Sequence, residues 1–168
     1  MSIHINEFCN MLLGEKLIGA YRDLDEICFD FGNPADSASG KTLRIHSTAF
    51  RVRGNGKVLL STHDFRDPIS ESVEVDWSKP DTTLFDVKAK DLLERYHNET
   101  VRRVELSEQN DIFIYTDCLC ITAFVSDCGN LHDESWRLFS KSPKDAPILI
   151  VNGSGAWLCD EENDVKIG

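Results

Sequence analysis

Between residues 104 and 135 the sequence has no lysine and no arginine, and between residues 41 and 63 it has no aspartate and no glutamate. The first absence removes that stretch from consideration as a phosphate-binding surface, because phosphates are held by cationic side chains. Positive charge is short throughout. Eighteen basic residues stand against 29 acidic ones, giving a formal net charge of −11. That balance disfavours a general nucleic-acid binder and makes a basic protein the natural complement. No run of 18 apolar residues occurs, so no conventional membrane helix and no membrane partner are expected. The opening Met1-Ser-Ile-His-Ile-Asn-Glu7 lacks a basic segment leading into an apolar one. It predicts a cytoplasmic protein rather than one exported by a standard signal.

Signatures of chemistry are equally scarce. The six cysteines lie mostly inside apolar segments, where cysteine behaves as a small hydrophobe, and reduced thiols without disulfides are expected. Cys118, Cys120, Cys128 and His132 are residue types that suit tetrahedral zinc. Cys118-Leu-Cys120 reads as strand, however, with both thiols on one face, whereas structural zinc draws its ligands from turns with two to four intervening residues. A metal-free protein is therefore predicted. A nucleophilic cysteine needs a base and surroundings that favour thiolate, and the acids around Cys118 work against it. His46, His63, His97 and His132 read as surface or boundary residues. Asp133-Glu134 and Glu161-Glu162 are sequence neighbours that point opposite ways in an extended chain, so neither forms an acid/base pair. Asn152-Gly-Ser-Gly155 follows an apolar strand but lacks the lysine of a phosphate loop. No catalytic residue and no cofactor are predicted.

What the chain does contain is a repeat. Ile27-Cys-Phe-Asp-Phe31, Leu43-Arg-Ile45 and Thr48-Ala-Phe50 are echoed by Ile112-Phe-Ile-Tyr-Thr116, Leu119-Cys-Ile121 and Thr122-Ala-Phe124, about 75 to 85 residues later. Such order predicts two related β-rich halves, at about 17–61 and 101–158, joined by a connector at 62–100. The length of 168 residues, with 41% hydrophobic content, suits one domain with a real core. Helical spacing of apolar residues predicts helices at about 4–13 and 84–96, the second opened by a Thr83-x-x-Asp86 capping pattern. Strands are expected at 17–21, 26–31, 50–60 (a hairpin turning at Gly54 and Gly56), 101–106, 112–115, 118–125, 134–139, 148–151 and 156–158, with a short one at 73–75. Residues 32–40 read as a loop and residues 160–168 as a fraying tail. The expected fold is a single α+β domain, mainly antiparallel sheet built from two related halves, with two helices.

A repeated scaffold carrying opposite charges in its two halves directs attention to surfaces. The acid-only block supplies Asp117, Asp127, Asp133 and Glu134, and the connector supplies Asp64, Asp67, Glu71, Glu74 and the aromatic Trp77, as candidate contacts for a basic protein. Leu17-Ile-Gly-Ala-Tyr21 and Ile27-Cys-Phe-Asp-Phe-Gly32, together with Asp111-Ile-Phe-Ile and Glu134-Ser-Trp-Arg-Leu138, resemble the framework of small two-half β-rich immunity proteins encoded beside bacterial polymorphic and contact-dependent toxins. The resemblance spans about residues 17–157. It implies a cytoplasmic, non-enzymatic protein that neutralises a cognate toxin domain of the basic nuclease type, and it transfers no binding residue. The competing readings are a small-ligand or regulatory domain and, behind it, a hydrolase; a ligand domain requires a closed apolar pocket with convergent polar groups.

Overall fold

A computed structural model describes residues 4–46, 49–125, 134–143, 146–160 and 164–167. In chain order the elements are helix α1 (Ile5–Cys9), extended by a 3-10 turn (Asn10–Leu12), then β1 (Lys16–Asp23), β2 (Glu26–Asn33), β3 (Asp36–His46), β4 (Phe50–Gly54) and β5 (Lys57–Ser61). Helices α2 (Thr62–Arg66) and α3 (Leu84–Tyr96) follow. After them come β6 (Arg103–Leu106), β7 (Ile112–Tyr115), β8 (Leu119–Ala123), β9 (Trp136–Ser140), β10 (Ile148–Asn152), β11 (Gly155–Cys159) and β12 (Asp164–Lys166). The protein is α+β and mostly strand.

The strands form two antiparallel sheets, one of seven strands in the order β1-β2-β3-β9-β10-β11-β12 and one of five in the order β5-β4-β8-β7-β6. Each half thus places a three-stranded meander in one sheet and sends its following strands to the other, β4 and β5 from the first half and β9 to β12 from the second. The exchange is joined by β3 pairing with β9 and by β4 pairing with β8. The first echo falls on β2 and β7, the middle strands of the two meanders, and the second on β3 and β8, their third strands. The third falls out of step, because Phe50 opens β4 whereas Phe124 lies just beyond β8. Thr48 lies outside the described residues.

Alternation turns one side of each sheet inward. Phe29, Phe31, Leu43, Ile45, Trp136 and Leu138 meet Val52, Leu60, Ile112, Ile114 and Ile121, all with no more than a trace of exposure. Helix α3 packs across β1 and β5, the terminal strands of the two sheets, and buries Phe85, Ala89 and Leu92. Phe50 bridges the layers, 6.4 Å from Phe29 and 5.8 Å from Phe85 between ring centroids.

Several local expectations are corrected. Residues 32–40 are mainly strand: β2 runs on to Asn33 and β3 begins at Asp36, with the Asn33 side chain accepting from the Ala35 amide at 3.0 Å to make the turn. Gly32 and Gly40 serve close strand approach, since a Cβ on Gly32 would lie 3.0 Å from the Gly40 Cα. The 50–60 hairpin forms, but Asn55 and Gly56 (φ 51° and 73°) make its turn. Gly54 is instead a buried strand residue whose added Cβ would sit 2.9 Å from both Leu119 and Leu59. The strand expected at 73–75 is absent and α2 was not anticipated; Asp64 caps that helix by accepting from the Ser61 amide and hydroxyl at 2.8 and 3.2 Å. Residues 164–166 extend the larger sheet beside β11 rather than fray. Cys118 precedes β8 and is exposed, while Cys120 lies within the strand and is buried.

Candidate functional site

The connector is held in shape by one cation. Arg22, near the end of β1, is only 3% exposed at its side chain. Its guanidinium donates to the carbonyls of Leu24 (3.2 Å), Trp77 (3.0 Å), Asp76 (3.5 Å) and Lys79 (2.5 Å), to Thr82 Oγ1 (3.2 Å), and to both carboxylate oxygens of Asp86 (3.3 and 3.1 Å). The planar fork with five N–H donors suits such a task, because it reaches several carbonyls without further rotamer loss. Asp86 also accepts from the amides of Thr82 and Thr83, each at 3.0 Å, completing the cap of α3. Burial pushes the Asp86 carboxyl up, but the Arg22 and Thr83 hydrogen bonds outweigh it and hold the group below its ordinary value. Upstream of α3, Asp76 closes a second turn by accepting from the Ser78 hydroxyl (2.6 Å) and amide (3.0 Å) and pairing with Lys79. These bonds lower its carboxyl to about 2.

The same scaffold presents an aromatic. Trp77 packs against Phe65 in a tilted pair with ring centroids 5.1 Å apart, Phe65 meets Phe85 edge-on at 6.3 Å, and the Arg22 guanidinium lies 5.5 Å from the Trp77 ring. Even so, Trp77 remains 41% exposed. Beside it Leu24, at positive φ (55°) in the β1–β2 turn, is 60% exposed. Leu24, Val75 and Trp77 line a shallow concavity of about 700 Å³ with Glu74, Lys79 and Thr82. Asp67, Glu71 and Glu74 are exposed, and no cation among the described residues pairs with them.

The remaining candidate acids are dispersed. Asp64 is buried in α2, where it caps the helix and pairs with Lys88 at 2.5 Å. Asp117, exposed in the β7–β8 turn, is gripped by Arg102 through two hydrogen bonds of 2.9 and 3.0 Å, which lower its carboxyl. Glu134 pairs with Arg137, which also binds Glu26. Asp127 and Asp133 lie outside the described residues, as do Cys128 and His132. Asp67, Glu71, Glu74 and Trp77 are thus exposed on the connector, Glu74 and Trp77 lining one concavity, whereas Asp64, Asp117 and Glu134 are engaged by Lys88, Arg102 and Arg137. Arg22, Leu24 and Asp76 were not anticipated. Arg22-Asp-Leu-Asp reads as an ordinary polar turn, and nothing local signals that one of its side chains crosses to a distant loop.

Among the described residues no group of three histidine, cysteine or acidic side chains is placed to hold a metal ion. Burial raises the Cys9 and Cys28 thiols to about 12. The exposed Cys118 thiol is also raised, chiefly by its hydrogen bond with Glu99, whose carboxylate accepts from the Cys118 amide as well. These environments oppose thiolate formation. No helix of the described residues is long and apolar enough to cross a membrane. No protein-family model, curated protein or solved structure matches this chain.

Proposed function

We propose that this protein is a non-catalytic, cytoplasmic binding module that neutralises a basic protein domain, of the nuclease-toxin kind, through its connector. The observation that carries the reading is the preorganised apolar patch of Leu24, Val75 and Trp77, with Glu74 in the same concavity, on a connector whose exposed Asp67, Glu71 and Glu74 pair with no cation among the described residues. An exposed aromatic in a concavity is the usual anchor of a protein interface, and surrounding charge speeds encounter and rejects wrong partners. Preorganisation matters because ordering a loop on binding consumes affinity, and Arg22 has already fixed this one. Asp67, Glu71 and Glu74 match lysine or arginine around the partner's phosphate-binding cleft, so an occupant held there excludes nucleic acid from the partner. The net charge of −11 favours the same encounter.

The test uses the full chain and the product of the gene immediately upstream of its own, co-expressed and resolved by size-exclusion chromatography. A one-to-one complex, with loss of the partner's activity and rescue of growth, is expected. Free migration of both proteins and unrelieved toxicity would contradict the proposal.

A further inference from the structure

The outward face of the five-stranded sheet runs against the charge of the chain. Two rows of side chains cross it from β4 to β6, one through Arg51, Thr122, Phe113 and Glu105 and the other through Arg53, Cys120, Tyr115 and Arg103. The three arginines are exposed, and the one acid in these rows, Glu105, is committed to Arg103 at 2.5 Å. Arg51 and Arg53 pair with no carboxylate among the described residues. The guanidinium of Arg51 lies 5.8 Å from the Phe124 ring, that of Arg103 lies 4.0 Å from the Tyr115 ring, and Phe113 meets Phe124 edge-on at 6.4 Å. Thr122 beneath them is 1% exposed. Rings and guanidinium planes thus make a second layer above the strands, with part of each ring left to solvent.

Spacing gives this layer a direction. Arg51 and Arg53 lie two residues apart on β4, and Phe113 and Tyr115 two residues apart on β7, so each pair is separated by about 7 Å along its strand. β8 lies between them, setting the cationic row roughly 10 Å from the aromatic row. A polynucleotide strand running along β4 can place phosphates at Arg51 and Arg53 and turn its bases across β8 onto Phe113, Tyr115 and the Arg103 plane. Flat sheets bearing aromatics beside cations read single strands in this manner, because every base has a face to stack. The net charge does not forbid it: at physiological ionic strength charges beyond about 8 Å are largely screened, so the local arginines set the field at this face.

We infer that the outward face of the five-stranded sheet is a binding site for single-stranded nucleic acid, with Arg51 and Arg53 on the phosphates and Phe113, Tyr115 and the Arg103 plane under the bases. The site is separate from the connector, and the inference stands or falls independently of the proposed protein partner. Fluorescence anisotropy of a labelled oligothymidylate against the full chain tests it. Saturable binding is expected, with a log–log salt slope of about −1.4 for two neutralised phosphates on a single strand. The Arg51→Glu/Arg53→Glu variant is expected to weaken binding by about tenfold or more, and the Phe113→Leu variant, which stays apolar, by about fivefold, through lost stacking. Circular dichroism establishes that each variant is folded. Absence of binding would overturn the inference. So would equal competition by polyglutamate of matching charge together with an unaltered Phe113→Leu variant, which would reveal a face for acidic polypeptides.

Discussion

Arg22 joins the end of β1 to carbonyls that lie 54 to 57 residues further along the chain. Replacing it with methionine keeps an apolar stem but leaves Asp86, 8% exposed at its side chain, without its cation. Breaking a buried pair from one side costs about 3 to 5 kcal/mol, so urea unfolding of Arg22→Met is expected to show a loss of that size. Arg22→Lys is expected to recover only part of it, because an ammonium cannot reproduce the fork. The pH dependence has a definite sign. Asp86 and Asp76 both have depressed carboxyls in the folded protein, the latter at about 2, so their stabilising contribution is present above the ordinary carboxylate value and is lost as pH falls. The melting temperature is accordingly expected to fall from these groups between about pH 4 and pH 2, and less steeply in Arg22→Met. A decline equally steep in that variant would contradict the assignment to Asp86. Half of this arrangement is legible in the sequence: Thr83-x-x-Asp86 announces a helix cap. The other half is not, because an arginine whose acceptors lie mostly far along the chain, three of them backbone carbonyls, leaves no residue pattern.

Among the elements, the β4–β5 hairpin shows how two nearby glycines do different work. Gly56 takes φ 73° in the turn with nothing within 4 Å of an added Cβ, so Gly56→Ala meets only the left-handed backbone penalty, about 1 to 2 kcal/mol. Gly54 has an ordinary backbone but no room, and Gly54→Ala must displace the ends of Leu59 and Leu119, costing about 1 to 3 kcal/mol. Thermal melts of both variants check this. An alanine at position 56 that leaves stability unchanged would contradict the turn assignment. The alternating Phe50-Arg-Val-Arg pattern and the apolar stripe of α3 made those elements readable, since one face of each is buried. β3 was hidden because Asp36-Ser-Ala-Ser-Gly40 has the composition of a loop; its strand character comes from pairing with β2 and β9. β2 is buried on both faces, and its outward Glu26 and Asp30 are satisfied by Arg44, Arg137, Thr42 and Lys141, none of which is near in sequence.

At the scale of the molecule, the exchange of strands between sheets makes each half depend on the other. Separate fragments spanning residues 1–61 and 101–168 would each expose an unpaired edge, at β3 and β8, and are expected to stay unfolded alone. The intact chain is expected to unfold in one transition, with the fluorescence change of fully buried Trp136 coinciding with loss of far-ultraviolet circular dichroism. A folded isolated fragment would contradict this. The exchange also explains why charge along the chain misled as a guide to surface charge. β4, from the acid-free stretch, pairs with β8, from the stretch without cations, so Arg51 and Arg53 lie among residues that read as an acidic block. The connector keeps its acidic character in three dimensions, and it carries the central claim. Calorimetric affinity for the upstream gene product, at about 50 and about 200 mM salt, for the wild type and the Glu71→Lys/Glu74→Lys/Trp77→Ala variant tests that claim most directly. The account predicts a loss on the order of 100-fold and a flattened salt dependence, in a variant that circular dichroism shows to be folded. Unchanged affinity and salt dependence in the variant would contradict it.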